Sequence, residues 1–198
     1  MTSKAGLGLI LPHGCRITHG TAACVKKPFR DIDITMNNLT ISTSKTFRGQ
    51  LGWMEFTSNV RLPRHLHMDL HGKRLLDERI LVLNGVGLVE LAGEYYVVAP
   101  GSLVDIRGGV PHTWTACPAG VKLPDGTISN NSFLMVYEYE DETTFFPTAD
   151  KDPINSVSDY KPFSGQLQEI RFPNFSAQDV ARKGLIVFNE QKVALELA

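Results

Sequence analysis

The chain has 198 residues, 42 % of them hydrophobic, 9 % aromatic and 21 % charged, with a formal net charge of −1. That is ordinary globular composition, with none of the low hydrophobicity and high charge of a disordered chain, and the length suits one domain over 1–198. Near-neutral charge offers no electrostatic reason to expect nucleic acid or an anionic membrane as partner.

Three cysteines, Cys15, Cys24 and Cys117, form no C-x-x-C pair, which argues against a disulfide framework and for a reducing compartment. The N-terminal apolar run Ala5 to Leu11 is too short for a secretory signal, and no stretch approaches the roughly 20 apolar residues of a membrane span. A cytoplasmic protein is expected.

The first 30 residues, rich in Gly, Ala and Lys, read as an arm looping over the surface. From Asp31 to about 140, short β-type runs dominate. Ile32 to Met36 and Leu39 to Ser44 are separated by a turn signal, Asn37-Asn38. Trp53 to Val60 and Leu62 to Met68 follow. Ile80 to Leu83 closes at Asn84-Gly85. Leu88 to Leu91 turns at Ala92-Gly93, and Tyr95 to Val98 returns. Such Xaa-Gly steps mark hairpins, because glycine tolerates the positive φ they need. Pro100-Gly101 turns into Leu103 to Ile106, and Gly108-Gly109 into Val110 to Thr115. A polar loop (Lys122 to Asn131) leads to the alternating strand Ser132 to Glu140. Short strands at regular spacing predict an all-β sandwich or barrel.

Ile80 and Val82 lie on one side of their strand, Leu81 and Leu83 on the other. A strand apolar on both faces is expected to be covered outside, by the terminal segments or by a second copy, so a homodimer is expected. In the C-terminal extension, 141–198, the proline-bearing stretch Asp141 to Pro173 reads as irregular. Ser176 caps a short helix with Asp179 in its first turn, Gly184 ends it, and Leu185 to Phe188 forms one more strand.

Three of the six histidines stand out. His65 and His67 form H-x-H on a predicted strand, where the period of two points both imidazoles to one face. Two neutral imidazoles side by side suit one borderline metal ion. His112 opens a later strand and Glu78 opens the strand ending at Gly85. Each alone is more commonly structural or solvated than a ligand. Their order and spacing resemble the cupin superfamily. Its first motif, G-x5-H-x-H-x3,4-E-x6-G, is similar to His65-Leu66-His67, Glu78 and Gly85. Its second, G-x5-P-x-G-x2-H-x3-N, is similar to Gly101, Gly109 and His112. Asn59, Arg107 and Ala116 depart from those patterns, and ten residues, Met68 to Asp77, separate His67 from Glu78 where the family has three or four.

The resemblance covers about Leu62 to Trp114 tightly. It implies a cupin-type double-stranded β-helix, a jelly-roll barrel, holding one divalent metal on His65, His67, Glu78 and His112. Glu78 is preferred as fourth ligand because its six-residue distance to Gly85 is intact. His71, at the usual carboxylate spacing, or an open position filled by water remain alternatives. Iron(II) is favoured, with manganese, nickel, copper or zinc also suited to such donors. Trp53, Phe56, Tyr96, Trp114, Phe133, Met135 and Tyr137 are candidate pocket-lining residues, although core packing is the commoner role of such side chains. The expected function is a metal-dependent enzyme acting on a small, largely apolar molecule. A dioxygenase leads, followed by an isomerase, cyclase or decarboxylase using the metal as Lewis acid, and then by a non-catalytic binding protein.

Overall fold

The computed structural model describes residues 8–26, 36–39 and 49–197. In chain order the strands are β1 (Leu9–Ile10), β2 (Arg16–Thr18), β3 (Cys24–Lys26), β4 (Met36–Asn38), β5 (Leu51–Thr57), β6 (His65–Leu66), β7 (Glu78–Gly85), β8 (Gly87–Leu91) and β9 (Glu94–Val98). Then come β10 (Leu103–Ile106), β11 (His112–Ala116), β12 (Val121–Lys122), β13 (Ser132–Tyr139) and β14 (Phe146–Pro147). Helix α1 (Ala177–Lys183) precedes β15 (Gly184–Phe188), β16 (Gln191–Ala194) and β17 (Glu196–Leu197).

Two large sheets carry the fold. One has the order β1-β2-β10-β7-β13-β5, the other β14-β6-β11-β8-β9-β15-β16. All their ladders are antiparallel except that between β15 and β9. The sheets face one another, and their inner residues form one continuous core that includes Ile80, Val82, Val89, Leu91, Val104, Trp114, Phe133 and Met135. Among the described residues no ladder joins the two sheets, so the architecture is a two-sheet jelly roll rather than one sheet closed on itself.

Sequence chemistry accounts for the turns. The β8–β9 hairpin closes at Ala92 and Gly93, with φ of 49° and 82°, the positive values a two-residue hairpin of this twist demands. Gly85 ends β7 at φ 67°, where an added Cβ would lie 2.1 Å from the Ser132 carbonyl oxygen. Strand β7 alternates as period two requires. Glu78, Ile80 and Val82 are buried, whereas Leu83 is 49 % exposed. Among the described residues its outer face is covered in part, by the N-terminal segment around Gly20 and Ala23 and by Leu39, which line a shallow groove beside Leu81 and Leu83. Ser176 and Asp179 cap α1 reciprocally, and the helix ends at Gly184 as expected.

Three expectations are corrected. Residues 8–18 of the N-terminal arm are not a surface loop: β1 and β2 extend the six-stranded sheet, and Leu11, Cys15 and Ile17 are buried in the core, because β10 would otherwise leave an unpaired edge. Asn37-Asn38 is not a turn but part of β4, paired with β3; the flanking runs at 32–35 and 40–44 lie outside the described residues. Leu62 to Met68 is not a continuous strand. Only His65–Leu66 qualifies, with single bridges at Pro63 and Met68. No helix among the described residues is long and apolar enough to cross a membrane.

Candidate metal centre

His65, His67, Glu78 and His112 meet between the sheets at one end of the sandwich, each no more than 3 % exposed. His112, the first residue of β11, lies directly opposite His65 on β6. His67 follows β6 on the same side. Glu78, the first residue of β7, comes from the facing sheet, with Tyr139 opposite it on β13. One nitrogen from each of the three histidines lies within 4.8 Å of the others. Glu78 Oε2 is 3.0 Å from His112 Nε2 and 3.6 Å from His67 Nε2.

The outward nitrogens are all held by backbone carbonyls. His65 Nδ1–H donates to Pro63 O at 2.8 Å, His67 Nδ1–H to Thr144 O at 3.1 Å and His112 Nδ1–H to Val110 O at 2.9 Å. A carbonyl only accepts, so each ring carries its proton on Nδ1 and turns the Nε2 lone pair inward. Burial pushes His65 well below the ordinary histidine range, with neighbouring His112 and His67 adding to it. Burial likewise lowers His67 to about 4, against the opposing pull of Glu78. Glu78 is held below the ordinary carboxylate range. Burial would raise it, but His67, His112 and a hydrogen bond from the Tyr139 hydroxyl outweigh that. His65 and His67 are thus held as neutral imidazoles and Glu78 as a carboxylate.

These donors fit a metal. His67 Nε2, His112 Nε2 and Glu78 Oε2 are buried without a hydrogen-bond partner. With the proton on Nδ1, His112 and Glu78 present lone pairs to each other across 3.0 Å, an arrangement that a cation between them relieves. Two donors each about 2.1 Å from one ion and at right angles stand about 3.0 Å apart, the spacing seen here.

The ten intervening residues form a hairpin that loops out and back. Met68 pairs with Leu75, Leu76 N–H donates to His67 O at 3.0 Å, and Asp69 N–H to Arg74 O at 3.0 Å. His71 sits exposed on the turn between Asp69 and Gly72, so it is corrected from alternative ligand to surface residue. The hairpin returns the chain to β7 with Glu78 pointing inward.

The candidate lining residues separate. Tyr137 lies on the inner face of β13 with its ring 5.2 Å from that of Tyr139, which packs 4.5 Å from His67. Phe56, Phe133 and Trp114 stack together at the other end of the interior as core, and Met135 lies between the two ends. Tyr96 is core as well, its hydroxyl donating to Glu94. Trp53 is corrected outright. It is 67 % exposed on the outer face of β5, because Phe56 takes the inner face and period two puts position 53 on the opposite one.

Two neighbours of the centre, Thr144 and Phe145, went unpredicted, whereas Tyr139 was expected on one face of its strand with Phe133, Met135 and Tyr137. Tyr139 shares the inner face of β13 and is distinguished only by standing opposite Glu78. Thr144 supplies its carbonyl to His67, and the Phe145 ring stands edge-on over His65 at 4.4 Å, itself 45 % exposed. Both belong to the irregular stretch after β13, which carries no periodic signal.

No family model matches the chain, and no curated protein does. Among solved structures it is similar to a dTDP sugar isomerase from Desulfovibrio desulfuricans (10 % identity, TM-score 0.42, 75 % of this chain and 94 % of that one). It is also similar to a cupin 2 domain-containing protein from Halorhodospira halophila (16 %, 0.39, 69 % and 84 %) and to a dTDP-6-deoxy-D-glucose-3,5-epimerase from Legionella pneumophila (11 %, 0.43, 68 % and 70 %). Likenesses at these values decide neither activity nor ligand. The two-sheet jelly roll, with its motif histidines on adjacent strands and the carboxylate on the facing sheet, is the arrangement the cupin resemblance implies.

Proposed function

We propose that the chain is a metal-dependent enzyme acting on a small, largely apolar organic molecule, as a dioxygenase-type oxidoreductase loaded with iron(II). The convergence of three imidazole nitrogens and one carboxylate, with three of the four inward atoms lacking a hydrogen-bond partner, carries this reading. A divalent ion held by His65, His67, His112 and Glu78 supplies Lewis acidity and, if it is iron, one-electron chemistry. The protein aims the imidazoles through Pro63, Thr144 and Val110, and burial keeps His65 and His67 unprotonated. The side chains packed on the centre, Phe145 and Tyr139 with Tyr137 behind, are aromatic, and Arg64 points to the opposite side of β6. This lining suits an aromatic or terpenoid-like substrate better than a sugar or a multiply charged acid.

One observation favours a second reading, an isomerase, cyclase or lyase. The Tyr139 hydroxyl hydrogen-bonds Glu78, and burial raises its pKa so that it keeps its proton. That leaves a hydrogen-bond donor beside the centre, where it can hold the oxyanion that enolate-forming isomerase, cyclase or lyase chemistry develops.

Metal content of untagged protein tests the reading, wild type beside His65→Ala, Glu78→Ala and His71→Ala. Near-stoichiometric metal that is lost in the first two variants and kept in the third supports the centre. No metal in the wild type, even after reconstitution, overturns it in favour of a non-catalytic binding protein. Oxygen uptake with aromatic and terpenoid-like substrates then separates the two chemistries. Uptake that survives Tyr139→Phe supports the oxidoreductase, and turnover without uptake that Tyr139→Phe abolishes supports the second reading.

A further inference from the structure

Strand β6 is two residues long and meets β11 at a single register pair, His65 with His112. So short a strand has few ladder bonds to hold it, yet it delivers two of the four donors. What fixes it lies on its reverse side. Arg64, buried at 8 % exposure, reaches across the back of β11 to Glu90 on β8, which is 0 % exposed. Arg64 Nε and Nη2 donate to the two carboxylate oxygens at 3.0 and 3.1 Å, the fork geometry of a bidentate pair. Glu90 stands opposite Thr113, one residue beyond His112. The pair therefore staples three strands together directly behind the ligands His65 and His112.

The same residue holds the segment that covers the centre. Arg64 Nη1 donates to Ala149 O at 3.1 Å, Thr148 N–H donates to Arg64 O at 3.0 Å, and Arg64 N–H donates to Ile170 O at 2.8 Å. The strap so anchored contains Thr144, whose carbonyl orients His67, and Phe145, whose ring lies on His65. It runs on through β14, which pairs with β6.

A buried ion pair is a poor way to gain stability, since desolvating both charges offsets most of their attraction, and apolar replacements of similar volume are frequently neutral or better. Charge is not needed at this position for cohesion alone. We propose that Arg64 and Glu90 are positioning residues for the metal centre. They set β6 and the Thr144–Phe145 strap so that His65 and His67 meet His112 and Glu78. This inference rests on the metal-centre reading, and the test separates the two.

The experiment uses the full chain, stripped with chelator and titrated with cobalt(II), which reports affinity and donor geometry through its visible absorption. The proteins are wild type, Glu90→Gln and the double variant Arg64→Met/Glu90→Leu. The double variant leaves no unpaired buried charge, and so it remains informative if Glu90→Gln fails to fold. The expected result for the double variant is a metal-free melting temperature near the wild-type value, cobalt affinity lower by roughly 10–100-fold and a shifted absorption band. Wild-type affinity and spectrum in the double variant would overturn the positioning role, as would a lowered melting temperature with affinity unchanged, which assigns the pair to stability alone. If wild-type protein binds no cobalt, the metal-centre reading itself fails and this inference falls with it.

Discussion

The interior of the sandwich has two ends built on the same strands. At one end, Phe56 and Phe133 stack at 5.0 Å and Phe133 and Trp114 at 5.8 Å, with Gly87 leaving the room those rings occupy. At the other end, β7, β11 and β13 carry Glu78, His112 and Tyr139. Six residue steps along β13 separate Phe133 from Tyr139, about 20 Å of extended chain. One end gains free energy by burying aromatic surface, while the other spends it on desolvating a carboxylate and three imidazoles. Cohesion and chemistry are thus kept apart along each strand, and the aromatic end makes the polar end tolerable.

That division can be broken experimentally. The largest effect is expected from His112→Ala. It should lower metal affinity by more than the roughly 10–100-fold that loss of an outer partner causes, because it removes a donor outright. Stoichiometric metal in this variant, by mass spectrometry, would remove the centre from this end. Next, Phe133→Ala should cost about 3–5 kcal/mol in urea unfolding of the metal-free protein while leaving metal stoichiometry intact. Loss of metal along with stability would show that the two ends are not separable.

Acid should act on the polar end, and also on His13 and His19 elsewhere, whose pKa values burial lowers as well. In the chelator-stripped protein, His67 titrates at about 4 when folded and near 6.5 when unfolded. The unfolded chain therefore binds more protons between those values, and stability falls as pH drops from about 6.5 towards 4. At pH 5 His67 alone contributes a loss on the order of 2 kcal/mol. Glu78, whose pKa is lowered on folding, adds a loss at the acid end of that range. His67→Gln should flatten the profile between pH 6.5 and 5, and an unchanged slope would place the sensitivity elsewhere. The smallest effects are expected outside the sandwich. Trp53→Ala and His71→Ala should each stay within about 0.5 kcal/mol of wild type, with full metal content, by the same unfolding and metal assays.

Much of the fold was legible because period two and turn chemistry act locally. Ala92-Gly93, Asn84-Gly85 and Gly101 announced their turns through the conformations only certain residues accept. The inner face of β13, with Phe133, Met135, Tyr137 and Tyr139, followed from alternation. What failed locally failed for a reason. Leu9 to Thr18 carries no clean alternation, yet β2 pairs with the free edge of β10 and β1 with β2 in turn. Asn37 and Asn38 favour turns intrinsically, but pairing with Val25 and Cys24 overrides that preference. Trp53 is apolar and aromatic, and only the neighbouring register shows that it faces water.

The centre divides in the same way. Residue types and spacing determined that His65 and His67 share a face and that Glu78 opens a strand ending at Gly85, because strand geometry is periodic and independent of the rest of the chain. Only the tertiary structure decided that Glu78 and not His71 meets the histidines, since the ten-residue hairpin could have returned the chain in any register. Only it showed Thr144, Phe145 and the Arg64–Glu90 staple, because contacts between residues 26 to 85 positions apart depend on how the sheets stack and leave no mark on local periodicity.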